Sequence, residues 1–188
     1  MIRLLVAAAL LGAAACLPNP ESVKERREHF DRDGLMGEYL LTAPPPGMRE
    51  VGATFGERIK LVGYTLDPAE PKRGDSVEIR FYWSVSRPVA EDYMVFVHGD
   101  AIGGNARRIH ADHYPAGGKY PTDVWREGEI VVDPFTISVP GTYGPERLGI
   151  FTGMYLGDYR VPLTDKGPGV GDNENRSRPI ELVFPPAQ

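Results

Sequence analysis

Four histidines stand at positions 29, 98, 110 and 113, and the last two share one short segment with an acid, Arg108-Ile109-His110-Ala111-Asp112-His113. Imidazole and carboxylate are ligands for zinc and copper, so this segment and His98 are where metal chemistry would be sought. On an extended chain His110 and Asp112 point one way, while Ile109, Ala111 and His113 point the other. His98, on a neighbouring strand, can meet either set. The candidate metal ligands are therefore His98, Asp112 and His113, without a settled third ligand on one face. The competing reading is that Asp112 orients a histidine or caps a turn, with His98 and His113 partly buried and hydrogen-bonded.

Other residue types suggest other chemistry. Trp125, Tyr120 and Tyr114 fall in a glycine- and proline-rich region, and exposed aromatics on a β-domain can stack on sugar rings. Against this, large aromatics usually bury most of their area, which would pack Trp125 over a sheet edge. Asp123, Glu127 and Glu129 have the types of a glycosidic acid/base pair. Acids clustered in a turn are more often solvated, and nothing nearby in sequence would raise one pKa. Asp31-Arg32-Asp33-Gly34 opens like a calcium loop, but the fifth and twelfth places hold Leu35 and Thr42 instead of oxygen ligands. Asp172-Asn173-Glu174-Asn175 reads as a solvated loop in preference to a loose calcium site. No nucleophile elbow, phosphate loop or dinucleotide fingerprint is present, so the sequence calls for no cofactor and points away from an enzyme.

The 188-residue chain suits one ordinary domain with extensions, and 41% apolar residues can supply a core. Glycine (22) and proline (18) make up over a fifth of it, which fits short strands joined by turns. The formal net charge is -5. Residues 1–15 contribute only Arg3, so from Cys16 onward 20 basic side chains face 26 acidic ones. Without a basic cluster, nucleic acid is not an expected partner. Cys16 is the only cysteine, which excludes an internal disulfide and any cysteine-built metal site.

The leader organises the N-terminus. In residues 1–15, Arg3 precedes the apolar run Leu4 to Leu11, then the small residues Gly12 to Ala15, as in a signal peptide. Residues 16–56 read as a flexible tether. Glu21 to Phe30 can form about two helical turns capped by Asn19 or Ser22, with a face too thin to be stable unless it docks. The run Pro44-Pro45-Pro46 is stiff and extended, suited to a spacer. Residues 57–188 read as strands. The clearest is Ser76 to Val85, where Val77, Ile79, Phe81, Trp83 and Val85 alternate with mainly polar neighbours. Further strands are expected at 58–66, 92–98, 107–113, 129–139 (split at Asp133-Pro134), 147–155, 159–163 and 179–184, with an exposed loop at 166–177. The expected fold is all-β, a single immunoglobulin-like β-sandwich.

Four resemblances follow from these residues. Ala13-Ala14-Ala15-Cys16 resembles the lipobox of bacterial lipoproteins, although that family more often has leucine where Ala13 stands. The resemblance implies cleavage before an acylated Cys16, and Leu17 after it implies sorting to the outer membrane. The alternative is ordinary secretion with Cys16 left as a free thiol. The segment 108–113 resembles the His-x-His-x-Asp-His signature of metallo-β-lactamase-like hydrolases, but Arg108 stands in the first ligand place and the αββα pattern is missing. The third is broader. Leu61-Val62-Gly63-Tyr64, Gly74-Asp75, Phe81-Tyr82-Trp83, Tyr93 to His98, Asp112-His113, Tyr120-Pro121-Thr122, Trp125 to Glu129 and Pro140 to Tyr143 are similar to a bacterial β-sandwich domain. That domain is found at the ends of membrane glycosyltransferases and in envelope proteins. Separately, Gly141-Thr142-Tyr143 at a strand entry resembles the tyrosine corner of immunoglobulin-like domains, which implies a bond from the Tyr143 hydroxyl to nearby backbone. The functional expectation is a lipid-anchored, non-enzymatic binding or assembly module of the outer membrane. Its partners would be the membrane through Cys16, another envelope protein, and polysaccharide in the glycan-binding alternative.

Overall fold

The computed structural model describes residues 20–186, so the expected signal peptide and Cys16 lie outside the described residues. The described residues hold one helix, α1 (Val23–His29), and twelve strands. In order these are β1 (Leu40–Leu41), β2 (Arg49–Phe55), β3 (Ile59–Asp67), β4 (Ser76–Val85), β5 (Met94–Ala101) and β6 (Ile109–His110), then β7 (Ile130–Ser138), β8 (Arg147–Leu156), β9 (Tyr159–Arg160), β10 (Leu163–Asp165), β11 (Val170–Gly171) and β12 (Ser177–Val183). Short 3-10 turns lie at Asp33–Leu35, Pro115–Gly118 and Thr122–Val124. One antiparallel sheet runs β1-β7-β4-β3-β2-β10 and the second β11-β12-β8-β5-β6, with β9 pairing β8. The expected all-β sandwich is what forms.

β4 occupies the ten residues whose alternation marked it, and the whole odd-numbered face is buried. Trp83 is 0% exposed and packs edge-on against Phe81 at 5.9 Å. Burying side chains of this size contributes about 1.5–3 kcal/mol each. In the second sheet Val95 and Val97 of β5 face inward with Leu148, Ile150 and Met154 of β8. The even-numbered residues Phe96, His98 and Asp100 consequently point out from that sheet. Tyr143 donates its hydroxyl hydrogen to the Arg147 carbonyl at 3.2 Å, the local phenol-to-backbone bond expected of it.

Several elements differ from expectation, each for a local reason. β7 is one strand through Asp133-Pro134. β1 covers Ile130 and Val131, and the Tyr39 carbonyl accepts the Val132 N–H at 2.8 Å; Pro134 lies beyond this cover, where a residue without an N–H is accommodated. The expected strand 107–113 is reduced to β6 and an isolated bridge from His113 to Val95. Between them the Asp112 carboxylate accepts the Val97 N–H at 2.9 Å, a side chain acting in place of a backbone acceptor. The expected loop 166–177 folds back as β11. Arg176 holds it through Asp172 and Asp100, each at 2.8 Å, and lies 4.3 Å over the Phe151 ring.

The largest correction concerns the tether. From Pro20 to residue 56 the chain belongs to the folded body instead of a flexible spacer, and the domain does not begin at Glu57. β2 is a full strand of the first sheet, with Val51, Ala53 and Phe55 buried. The proline run lies between β1 and β2, which are four strand spacings apart in that sheet. Four spacings of ~4.8 Å are about 19 Å; the segment crosses them and ends in a turn in which the Met48 N–H donates to the Pro45 carbonyl at 3.4 Å and Gly47 has φ 78°. The proline run thus carries the chain across the sheet and turns it into β2. Met48 at its end lies against Gly63, where any Cβ would come within 2.5 Å of the Arg49 carbonyl oxygen.

α1 carries the Ser22–Glu25 capping box and buries no residue of its own. It is held by arginines. Arg26 pairs with Asp123, and Arg27 donates to the carbonyls of Val89 at 2.6 Å and Asp123 at 2.7 Å. Arg32 donates to Glu129 at 3.1 Å, to the Tyr120 hydroxyl at 3.0 Å and to the Phe30 carbonyl at 2.8 Å. Arg126 returns a bond to the Arg27 carbonyl at 2.8 Å, satisfying a free acceptor at the end of α1. Losing one partner of a buried ion pair costs about 3–5 kcal/mol. Arg32→Ala is expected to lower unfolding stability by about 3 kcal/mol in urea titrations and to expose the Arg26 and Arg27 bonds to trypsin. Equal trypsin sensitivity in the wild-type and variant proteins would contradict this docking.

Candidate functional site

The sequence placed four groups near one another, and the fold separates them into two faces. His113 lies on the inner side, because its backbone bonds Val95 in both directions at 2.9 Å. Its Nδ1 faces the Ala111 carbonyl at 2.7 Å and its Nε2 faces both oxygens of Asp133 at 3.1 Å. Both ring nitrogens thus meet acceptors, the arrangement that suits an imidazolium. Burial opposes that charge, but the Asp133 hydrogen bonds and negative charge, with the Ala111 carbonyl, outweigh it and hold the His113 pKa above the usual histidine range. Asp133 is 0% exposed and also accepts Trp83 Nε1–H at 3.1 Å and the Ala116 N–H at 3.0 Å. His113 is therefore a structural residue and leaves the expected metal set.

On the outer side of the second sheet, His110 takes its place. His98 and His110 are directly paired across β5 and β6, with ring centroids 5.1 Å apart. The Nε2 of His98 stands 3.6 Å from Asp112 Oδ1. Potential ligand atoms of His98, His110 and Asp112 all lie within 4.8 Å of one another. His98 is only 6% exposed, whereas His110 and Asp112 are exposed. Burial pushes the His98 pKa down, with Arg108, His110 and Arg160 adding to this and Asp112 partly offsetting it. The neutral imidazole is the favoured form.

A cleft of about 270 Å³ opens beside this cluster, lined by Phe96, His98, Asp112, Tyr155, Asp158 and Arg160. Arg160 comes from β9, lies 4.8 Å over Phe96, and bonds the Glu174 carbonyl at 3.1 Å. Gly153 faces Phe96 across the ladder, and a Cβ there would meet the ring at 2.7 Å, so this glycine lets the ring lie flat. Leu156 and Tyr159 are exposed at the hairpin tip next to the cleft.

The aromatic candidates for sugar stacking also separate. Trp125 and Tyr120 are both 0% exposed, Trp125 donating to the Tyr120 carbonyl at 2.9 Å and Tyr120 hydrogen-bonding Glu129 at 2.6 Å. Neither offers a face to a ligand, because Arg32 and Phe30 dock on Tyr120 and Trp125 stacks behind it. Tyr114 alone of the three is open, at 50% exposure. Asp123 and Glu129, read as solvated acids, are the anchors of the N-terminal arginines.

The residues that sequence reasoning passed over are His110 as a ligand, Arg160 and Asp158 in the cleft, and the three docking arginines. Strand parity already grouped His110 with Asp112, and the missing fact was the side on which His98 falls. For the arginines no signal existed, since a charged helix without an apolar face looks solvated. The fold and this face define a β-sandwich with an imidazole–carboxylate cluster beside an aromatic cleft. No protein-family model matches the chain, and no curated protein matches it in sequence.

The His113–Asp133 pair carries a pH signature. A native pKa raised above the unfolded value of about 6.5 gives stability that is fully present below that value. It is lost as pH rises through the raised native pKa. Urea unfolding is expected to show greater stability at mildly acidic than at alkaline pH, and His113→Gln should flatten that slope. An unchanged slope in the variant would assign the effect elsewhere.

Proposed function

We propose that the protein is a lipid-anchored component of the bacterial outer membrane that binds another envelope protein without catalysing a reaction. The observation that carries this reading is the closeness of a lipobox-like Cys16 to α1, a docked helix that starts at Val23. Val23 lies seven residues after Cys16, and fully extended this stretch reaches about 24 Å at most. An acylated Cys16 would therefore hold the sandwich against the membrane surface, with the α1 end nearest to it. Acyl chains contribute about 0.8 kcal/mol per buried CH₂, so two or more make the anchor stable. The face offered to a partner is the outer side of the second sheet, where exposed Leu156 and Tyr159 flank the cleft.

Two measurements test the reading. Cells fed an alkyne fatty acid should label the wild-type protein and carry it in the outer-membrane fraction, and Cys16→Ser should abolish both. A photo-crosslinking amino acid at Tyr159 should capture one stoichiometric envelope protein, while the same group at Glu70 should not. Label without any captured partner would keep the anchor and remove the binding role.

A further inference from the structure

We propose that His98, His110 and Asp112 bind one divalent transition-metal ion of the zinc or copper class, with a further coordination position open to the cleft. This goes beyond the anchored binding role and does not depend on it.

Spacing is the first argument. Ligands at 2.0–2.1 Å around a tetrahedral ion lie about 3.3 Å from one another. His98 Nε2 and Asp112 Oδ1, at 3.6 Å, are already near that separation. The same distance is too long for an N–H···O hydrogen bond. His110 completes the set with all ligand atoms within 4.8 Å, and its exposed side chain on a two-residue strand can swing the remaining distance.

The second argument is the state of His98. The ring is buried, yet among the described residues its Nδ1 has no hydrogen-bond partner, and its Nε2 points at a carboxylate out of bonding reach. Buried polar groups are normally satisfied, and exceptions call for a physical reason. An ion between Nε2 and Asp112 would bridge these two groups, which stand too far apart to hydrogen-bond directly.

Support and charge agree. The Val97 N–H fixes Asp112 Oδ1 at 2.9 Å, the kind of backbone contact that orients a ligating carboxylate. The nearest cations are occupied. Arg108 makes two bonds to Asp100, at 2.5 and 3.0 Å, and Arg160 pairs with Glu174 at 3.3 Å. Two imidazoles with one carboxylate favour zinc or copper over calcium or magnesium, which prefer all-oxygen shells. Asp158 and Tyr155 line the cleft beside the open position.

The test uses the full-length protein as purified from cells, stripped with a chelator and titrated calorimetrically with Zn²⁺. Cu²⁺ electron paramagnetic resonance then counts nitrogen ligands. One ion per chain with two imidazole nitrogens is expected. His110→Ala and Asp112→Asn should each weaken binding by about tenfold or more, and His29→Ala should leave it unchanged. Both variants change exposed side chains, and circular dichroism verifies their fold. If the wild-type protein binds neither ion stoichiometrically, or if His110→Ala binds as tightly as wild type, the site does not exist.

Discussion

A carboxylate with no access to water is the constraint around which the sandwich is assembled. Asp133 is completely buried in the first sheet, and an ionised acid in such a place must be both paired and hydrogen-bonded. Its partners come from three directions: Trp83 on the adjacent strand, His113 bridged to the second sheet, and the Ala116 backbone in the turn beyond. One side chain thus sets the indole orientation at the core's centre, ties the two sheets together and pins the excursion after β6. Replacing such a pair by apolar residues can be neutral in energy elsewhere, so its role here is better described as positional. It dictates which face His113 occupies. By strand parity it also dictates that His110 and Asp112 face outward.

The same logic of charge held by geometry governs the N-terminal segment. Hydrophobic burial cannot hold α1, because the helix buries none of its residues. The guanidinium groups of Arg27 and Arg32 instead reach into carbonyls and carboxylates that the turn around Thr122–Val124 presents. A planar fork of donors can satisfy several acceptors at once, which a lysine in the same place could not reproduce. The buried Trp125 and Tyr120 form the floor of this contact. The aromatic cluster therefore supports a joint between segments.

Legibility in the sequence followed the strength of the period-two signal. β4 was readable to the residue because ten positions alternate without a break. β3, β8 and β12 were readable to within two residues at each end. β2 was missed although Val51, Ala53 and Phe55 alternate, because Gly52 and the preceding prolines look like linker chemistry. β1 and β11, at two residues each, have no periodic signal to find. The candidate cluster was half legible. Parity separated His110 and Asp112 from His113, but the facing of His98 depends on which residues of β5 meet the core. Phe96 obscured that choice, since an aromatic among apolar neighbours reads as core while it lies on the outer face. The burial of Trp125 and Tyr120 is the more common outcome for large aromatics, and size alone pointed to it.

The docked N-terminal segment has a mechanical meaning. A pull applied at the N-terminus loads the arginine contacts of α1 and then the two residue pairs of β1, which separate in sequence like a zipper. β2 is different, since it is bonded along its length to β3 and would bear the load in shear. Release of residues 20–48 would free about 100 Å of chain at ~3.4 Å per residue. The N-terminal segment thus has a docked state and an extended one, separated by the guanidinium contacts of α1, the two pairs of β1 and the burial of Leu35 and Leu40.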